Sequence, residues 1–182
     1  MKWLIASDLH GSTVYIEKLM QCFEKEKADR MFFLGDYLYH GPRNAIPAGY
    51  DTIRAAEILN GYKEYIFCIR GNCDSDVDQM MLEFPILSDN AYLDLDGTLA
   101  FASHGHVFGR DNLPNLKKGE IFLQGHTHIP SFECLENGVI FMNPGSVSIP
   151  KGGSENSYIL YENGCFSWKT LDGKVFLEYR IG

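Results

Sequence analysis

The sequence predicts an α/β fold of two packed mixed sheets with helices on the outside. Up to Pro85, short apolar runs alternate with amphipathic stretches, a pattern typical of β-α-β units. Beyond Pro85 the chain changes to short strands joined by turns. Neither a linker nor an internal repeat divides the 182 residues, so we expect residues 1–182 to form a single domain around one shared core.

The first half of the chain predicts three strands and three helices in alternation. Buried strands are predicted at 2–7, 30–34 and 65–69, and helices at about 12–27, 51–61 and 75–82. Either Asp74 or Ser75 caps the third helix, and Pro85 ends it. A long irregular stretch, 37–50, precedes the second helix, and loops of this length in compact domains tend to be functional.

The second half of the chain predicts a series of short strands. They lie at 91–95, 98–103, 121–124, 131–135, 138–142, 157–162, 164–170 and 174–180. The dipeptides Asp96-Gly97, Asn137-Gly138 and Asn163-Gly164 are typical of two-residue hairpin turns. We expect these strands to share one core with those of the first half, as two packed sheets with helices outside.

Composition and net charge exclude some classes of function. Apolar residues at 45% and charged residues at 22% are globular values, which argues against disorder. The formal charge of −8 argues against stable nucleic-acid binding, because phosphate backbones require a basic protein face. Nucleotides stay open as substrates, because bound divalent cations would reverse the local field.

Cysteine usage and the N-terminus predict a soluble, cytoplasmic protein without membrane association. The five cysteines are odd in number and form no Cys-x-x-Cys pair, which indicates reduced thiols instead of a disulfide framework. The apolar run at the N-terminus is interrupted by Asp8 and His10, so it is too short for a signal peptide. Nothing downstream approaches the length of a membrane span.

Polar side chains follow the apolar runs where strands are predicted to end. These residues are Asp8 and His10, Asp36, Asn72, His104, and His126 with His128. Each lies beside a glycine or within a few residues of one, and all six histidines of the chain lie in or near these loops. Because open α/β sheets bind ligands at the carboxyl ends of their strands, we expect these side chains to meet at one edge.

The donor set predicts a site for two metal ions. Carboxylate, carboxamide and imidazole groups without thiolate suit Mn²⁺, Fe²⁺, Zn²⁺ or Mg²⁺. Seven such groups exceed what one catalytic metal usually takes from protein, whereas two ions that share a carboxylate use them naturally. Each residue also has an ordinary interpretation, since Asp8 or Asp36 can cap a helix, Asn72 can form a turn and His104 can be a partly buried, hydrogen-bonded imidazole.

Five short motifs resemble, in order and spacing, those of the metallophosphoesterase (calcineurin-like) superfamily. They are Asp8-x-His10, Gly35-Asp36, Gly71-Asn72-x-Asp74, His104-Gly105-His106 and Gly125-His126-x-His128. Longer strings, among them 71–75 and 143–153, are similar to the YfcE-type bacterial phosphodiesterases within that superfamily. The resemblance implies a four-layer α/β/β/α sandwich, a small phosphodiester substrate and a homo-oligomer, either dimer or tetramer. It implies hydrolysis by a hydroxide that a dinuclear metal centre activates.

The resemblance also implies how the ligands are divided. One ion would take Asp8, His10, Asp36 and His128, and the other Asp36, Asn72, His104 and His126, with Asp36 bridging. The ions would be two divalent metals, with Mn²⁺ expected first and Fe, Zn, Ni or Mg as alternatives.

Asn72, Cys73 and His106 are the candidate catalytic residues. Many members of the superfamily carry, in place of Cys73, a histidine that is thought to protonate the leaving oxygen. A thiol with an ordinary pKa of about 8.5 can donate a proton, but beside metal ions it can ionise instead. Alternatively, Cys73 only fills a small buried space. We therefore expect esters with good leaving groups to be the better substrates.

His40, Arg43 and His106 are the candidate substrate contacts. Arg43 can clamp a phosphate oxygen with its planar guanidinium, although a surface arginine without such a role is an equal alternative. The segments 143–146 and 151–153 are candidates for the pocket wall, although turn chemistry alone also explains their composition.

Two other functions remain open. One is a phosphomonoesterase acting on nucleotides or phosphoproteins. The other is a catalytically silent interaction module on the same fold, as in the retromer subunit that resembles this family. A silent module can lose ligands, so the presence of all seven candidates argues against it.

Overall fold

Two mixed β-sheets pack face to face in the computed structural model, which describes residues 1–181. The strands are β1 (Trp3–Ala6), β2 (Arg30–Phe33), β3 (Ile66–Cys68), β4 (Asn90–Leu95), β5 (Thr98–Ser103), β6 (Ile121–Gln124), β7 (Ser131–Cys134), β8 (Ile140–Asn143), β9 (Ser157–Glu162), β10 (Cys165–Thr170) and β11 (Val175–Arg180). The helices are α1 (Thr13–Glu26), α2 (Thr52–Asn60) and α3 (Asp76–Met81), with a 3₁₀ turn at Lys63–Tyr65. The predicted fold class is confirmed, and the predicted helices and strands are all present.

The sheet topology brings the ends of six parallel strands to one edge of the molecule. The first sheet has the order β11-β10-β9-β1-β2-β3, in which β1, β2 and β3 run parallel. The second has the order β4-β5-β6-β8-β7, in which β5, β6 and β8 run parallel. The loops after these six strands contact one another, as the site geometry below demonstrates.

The apolar core lies on both faces of the first sheet, as strand periodicity requires. Successive residues of a strand point to opposite faces. In β1, Leu4 and Ala6 therefore pack toward the buried faces of α1 and α2, while Ile5 packs between the two sheets. Trp168 of β10 is fully buried in this space between the sheets.

The outer face of the second sheet is covered by the chain between β5 and β6. Phe101, Phe122 and Phe141 form an apolar surface on this face, and Phe108 and Leu116 of the connecting loop pack against it. The outermost of the four layers is thus made by loop residues, whose apolar side chains bury the sheet.

Turn and cap chemistry explains where several elements begin. Ser75 caps α3 in a capping box with Asp78, which leaves Asp74 free for another role. The turns at Asp96-Gly97 and Asn163-Gly164 are two-residue hairpins, with both central residues at positive φ.

The prediction of a two-residue turn at Asn137-Gly138 was wrong. The strand pairing extends to Leu135 and Val139, and Gly138 alone takes the left-handed conformation. Asn137 uses its side chain to accept a hydrogen bond from the Val139 N–H, at 3.0 Å, and this local bond favours the longer loop.

The cysteines agree with the expectation of reduced thiols, since all five are free. Among the described residues, no helix combines the length and apolar character that crossing a bilayer requires.

We expect Trp168→Ala to lower the free energy of unfolding by about 3–5 kcal/mol, because it opens a cavity between the sheets. The substitution also removes the hydrogen bond that the indole Nε1 donates to the Asn143 carbonyl, at 2.7 Å. Urea denaturation measures the loss. Phe176→Ala, at a ring that is 42% exposed, is the control and should change stability by less than about 0.5 kcal/mol. Equal losses in the two variants would contradict the prediction.

Candidate metal centre

Hydrogen bonds join the loops of the two sheets where their parallel strands end. The Asp8 N–H donates to the Gly35 carbonyl at 3.0 Å, and the Gly125 N–H donates to the His104 carbonyl at 3.1 Å. Between the sheets, the His126 N–H donates to Asp8 Oδ2 at 3.0 Å. The side chains carried by these loops therefore converge on one place.

The first group of side chains at this place is Asp8, His10 and His128. Asp8 Oδ1 lies 3.2 Å from His128 Nε2 and 3.6 Å from His10 Nε2. The two imidazole Nε2 atoms are 3.3 Å apart, and their rings are stacked. All three side chains are buried, so they form a compact set of donors at the base of the site.

The second group is centred on Asp36. Its Oδ2 lies 3.4 Å from His104 Nε2 and 3.7 Å from His10 Nε2, so the carboxylate stands between histidines of the two sheets. Asn72 Oδ1 lies 3.1 Å from His104 Nε2. His126 lies at the edge of this group, with its ring centroid 5.1 Å from that of His104.

Backbone carbonyls orient three of the histidines. The Nδ1 atoms of His10, His104 and His128 lie 2.7, 2.6 and 2.6 Å from the carbonyl oxygens of Tyr39, Leu34 and Ile149. A carbonyl only accepts hydrogen bonds, so each Nδ1 carries a proton and each neutral ring presents its Nε2 lone pair to the cluster. This is the tautomer that a metal-binding histidine requires.

The cluster is left with negative charge and lone pairs that no described residue compensates. Asp8 Oδ1 is buried and has no hydrogen-bond partner within residues 1–181. The facing Nε2 atoms of His10 and His128 bring two lone pairs together. Cations would satisfy all of these atoms, so the residues present fit divalent metal ions.

The pKa shifts of His104 and Asp8 also indicate that the cluster favours bound positive charge. Burial opposes a charge on His104, but the adjacent Asp36 carboxylate outweighs it and raises the pKa of His104 to about 9. Burial likewise opposes the charge on Asp8, yet the neighbouring His10 and His128 hold the pKa of Asp8 well below its usual range. Protons or metal ions can supply this positive charge.

Most of these side chains come from strained backbone. Positive φ angles occur at Asp8 (60°), His10 (46°), Asp36 (61°), His126 (66°) and His128 (62°). Non-glycine residues rarely adopt this conformation, and it is typical of functional sites. The other such residues described are Lys27, at a helix end, and Asp96 and Asn163, in hairpin turns.

Two glycines let the loops approach closely. A Cβ at Gly71 would lie 2.1 Å from Asp36 Oδ1, and a Cβ at Gly125 would lie 2.0 Å from Ser7 Oγ. Both contacts are impossible for a side-chain carbon, so these positions require glycine.

Asp74 ties the Asp36 loop to the Asn72 loop. Its carboxylate accepts hydrogen bonds from the backbone N–H groups of Asp36 (2.8 Å), Tyr37 (2.9 Å) and Gly71 (2.6 Å). Burial, followed by the charge of Asp36, raises the pKa of Asp74 to about 6 against the effect of these three bonds. The sequence pattern predicts Asp74 as a possible helix cap, and its place in the motif Gly71-Asn72-x-Asp74 is the signal for this larger role.

The segment after β8 supports the site from behind. The Ser146 and Ser148 hydroxyls both donate to the Asp8 carbonyl, at 2.9 and 3.0 Å. The Asn143 amide donates to the Gly125 carbonyl at 2.8 Å and to Thr127 Oγ1 at 3.1 Å. Asn143 and Ser146 belong to the segment 143–146, a candidate for the pocket wall, and both lie buried beneath the loops that carry the candidate ligands, as does Ser148. Nothing in the sequence pattern distinguished them from turn residues.

An open cleft of about 440 Å³ lies above the two groups of donors. Its lining comprises Asp36, Gly41, Pro42, Arg43, Asn44, Asn72, Cys73, His126, Thr127, His128 and Lys151. Arg43 and Lys151 therefore bring positive charge to the walls, above the buried carboxylates. Two further candidates lie elsewhere, since His40 packs against Tyr39 and Tyr50, and His106 is exposed with its ring 5.6 Å from that of His104.

The Cys73 thiol lines the cleft. Burial, with the charge of Asp36 adding to it, raises the pKa of the Cys73 thiol well above its ordinary value. Asn72 Nδ2 donates to the sulfur at 3.2 Å, and the Cys73 N–H donates to Asp36 Oδ1 at 2.8 Å. These two bonds fix Cys73 directly beside Asp36.

Comparisons with known proteins give the family of this chain. Residues 1–163 match the family model of the calcineurin-like phosphoesterase superfamily domain. The chain is 46% identical over 178 residues to phosphodiesterase YfcE of Escherichia coli K12, covering 97% of this chain and 96% of that protein. The solved structure of YfcE, a phosphoesterase from E. coli, matches with a TM-score of 0.96 at 42% identity and covers 100% of both chains. Wild-type Vps29 complexed with zinc, from Entamoeba histolytica, shares only the fold, with a TM-score of 0.60 at 18% identity over 100% of both chains.

The family match spans most of the chain, which confirms the resemblance inferred from the five motifs. Divalent metal ions are characteristic of this family, and the convergent carboxylate and imidazole groups are suited to hold them. The chain therefore belongs to the calcineurin-like phosphoesterase superfamily, and it is a metal-dependent phosphoesterase.

Proposed function

We propose that the protein is a phosphodiesterase that hydrolyses small phosphodiesters with a dinuclear metal centre. The observation that carries the proposal is the position of Asp36, whose Oδ2 lies between His10 Nε2 and His104 Nε2, at 3.7 and 3.4 Å. A carboxylate so placed can bridge two ions. The 46% identity to an E. coli phosphodiesterase supports the choice of diesters.

The proposed ligands divide into two sets that share Asp36. One set is Asp8, His10, Asp36 and His128, and the other is Asp36, Asn72, His104 and His126. We assign Mn²⁺ to both positions, with Fe, Zn, Ni or Mg as alternatives, because the donors are nitrogen and oxygen atoms that all of these metals accept. Cytoplasmic location and homo-oligomeric assembly stay predictions.

When bound, the two ions supply Lewis-acid neutralisation of the phosphate charge and lower the pKa of water. The protein's own residues orient the substrate. Arg43 and Lys151, which form no salt bridge within residues 1–181, face the cleft and can pair with phosphate oxygens. The Cys73 thiol lines the same cleft, and as a thiol it can pass its proton to the leaving oxygen.

Removal of metal should abolish hydrolysis of bis-(p-nitrophenyl) phosphate, and added Mn²⁺ should restore it. We expect Asp36→Asn to lower kcat by at least about a hundredfold, because the neutral amide bridges poorly and loses charge stabilisation. Asp172→Asn, at an exposed acidic residue away from the cleft, is the matched control and should keep full activity. Hydrolysis that survives chelation at the original rate would contradict the proposal.

Replacing His126 or His128 by alanine should empty a different metal position in each case. Either single variant should bind one Mn²⁺ per chain where the parent binds two, as measured by metal analysis after desalting. His10→Ala/His128→Ala should still bind one ion, because both ligands serve the same position, whereas His126→Ala/His128→Ala should bind none. An unchanged count of two ions in His126→Ala would refute its role as a ligand.

Aryl phosphodiesters should be hydrolysed faster than alkyl phosphomonoesters, because the only proton donor proposed beside Asn72 is a thiol. Rates on bis-(p-nitrophenyl) phosphate and on a monoester series measure this preference, and a clear preference for monoesters would contradict it.

The same substrates test Cys73 itself. If the thiol donates the proton, Cys73→Ala should slow esters with poor leaving groups by about a hundredfold and p-nitrophenyl esters far less. If Cys73 only fills space, all substrates should be affected equally. Cys73→Ser, which keeps a proton donor of similar size, is the control.

A further inference from the structure

A second cavity lies beside the catalytic cleft. The two cavities are separated by His126 and Thr127, which we call the ridge. We call the second cavity the side groove. Its volume is about 520 Å³, and His126 and Thr127 line both the groove and the cleft. The two cavities therefore meet at His126, a proposed metal ligand. The volume of the side groove falls within the range of about 300–1,000 Å³ that is typical of small-molecule sites.

The ridge and the groove wall are held in place by hydrogen bonds. Thr127 Oγ1 accepts from the Asn143 amide at 3.1 Å, and the Thr127 N–H donates to the Gly125 carbonyl at 2.7 Å. On the opposite wall, Asn112 Nδ2 donates to the Val107 carbonyl at 3.0 Å, and the Arg110 N–H donates to Gln124 Oε1 at 2.9 Å. The groove is therefore formed before any ligand enters, which lowers the cost of binding.

The surface of the groove is apolar where a ligand would rest. Val107 and Ile129 are 59% and 44% exposed, and both line it together with the buried Phe141. Covering exposed aliphatic side chains with an apolar group is favourable in proportion to the area removed from water.

The charges in the groove disfavour an anionic ligand. Arg110 is the cation of the wall, but its guanidinium makes paired hydrogen bonds to Glu133 at 2.9 and 2.8 Å and another to Asp111 at 3.0 Å. Two carboxylates facing one guanidinium leave a net negative charge. Three of the five N–H groups of Arg110 are used in these bonds, and the excess of carboxylate means that a second phosphate or a carboxylate would meet repulsion here.

We propose that the side groove binds one ester group of the phosphodiester, and that the group it accepts is uncharged and aromatic or otherwise apolar. This inference rests on the proposed function, because the phosphate must lie in the cleft beside His126 for an ester group to cross the ridge. It assigns Val107 and Ile129 as specificity residues, which contact the substrate away from the reacting bond.

Binding of two diesters with poorer leaving groups than p-nitrophenol, which are hydrolysed slowly, tests the proposal. On the Mn²⁺-loaded full chain, Ile129→Ser and Val107→Ser should each weaken diphenyl phosphate by about tenfold, because its ring loses apolar contact. Dimethyl phosphate is too small to reach across the ridge, so its Kd should not change. Calorimetry measures both values, and inhibition of bis-(p-nitrophenyl) phosphate hydrolysis gives the matching Ki.

Val175→Ser is the control, because Val175 is as exposed as Ile129, at 44%, and lies on β11 away from both cavities. Equal affinities for diphenyl phosphate in the parent, Ile129→Ser and Val107→Ser would overturn the assignment of the groove. If the loaded parent hydrolyses no diester at all, the proposed function fails, and the calorimetric comparison still decides what the groove binds.

The charge argument has its own test. The parent should bind diphenyl phosphate more tightly than bis-(4-carboxyphenyl) phosphate, and Glu133→Gln should reduce that preference several-fold by freeing Arg110. A parent that prefers the carboxylated diester would show that the groove accepts anions, which would overturn the assigned ligand class.

Discussion

Three backbone hydrogen bonds to one buried carboxylate hold the ligand cluster together. Asp74 accepts from the N–H groups of Asp36, Tyr37 and Gly71, which belong to loops after two neighbouring strands. These bonds set Asp36 at its positive φ and bring it against Cys73, whose N–H donates to Asp36 Oδ1. The placement of Asp36 between His10 and His104 thus depends on Asp74, which is not itself one of the proposed metal ligands. Burial of the Asp74 charge is tolerated because each oxygen is hydrogen-bonded.

The rest of the architecture compensates for the cost of this arrangement. Each residue held in the left-handed region costs about 1–3 kcal/mol, and the buried carboxylates repel one another. Parallel strands on both sheets provide the rigid frame, because β1, β2, β5 and β6 are buried in the core immediately before the strained loops begin. Serine and asparagine side chains after β8 then hydrogen-bond those loops from behind. The positions of the candidate ligands in space are therefore determined by tertiary contacts, whereas each ligand can be recognised from the short sequence motif around it.

This division explains what could be predicted from the sequence. Strand ends are recognisable as apolar runs that stop at glycine and polar residues, so the elements and the loops that carry Asp8, Asp36 and His104 were identified. The role of Asp74 was not predicted, because a carboxylate just before a helix also fits a helix cap. Only the folded chain reveals that Ser75 takes the cap position. The two-residue turn at Asn137-Gly138 failed for the same reason, since a side-chain hydrogen bond lengthened the loop. The side groove had no sequence signal, because its walls come from three separate segments, 105–112, 124–133 and Phe141, which only the folded chain brings together.

The arrangement of the two cavities bears on the choice between diesters and monoesters. A phosphodiester carries two organic groups on one phosphorus, and the cleft and the side groove lie on either side of the His126–Thr127 ridge. A phosphate bound at the ridge can direct one group along the wall of Arg43 and Lys151 and the other toward Val107 and Ile129. A monoester has only one organic group, so it would leave one of the two spaces in water. The shape of the site thus adds support for the diester, because the wall residues that would contact the two groups, Arg43, Lys151, Val107 and Ile129, are not among the proposed metal ligands.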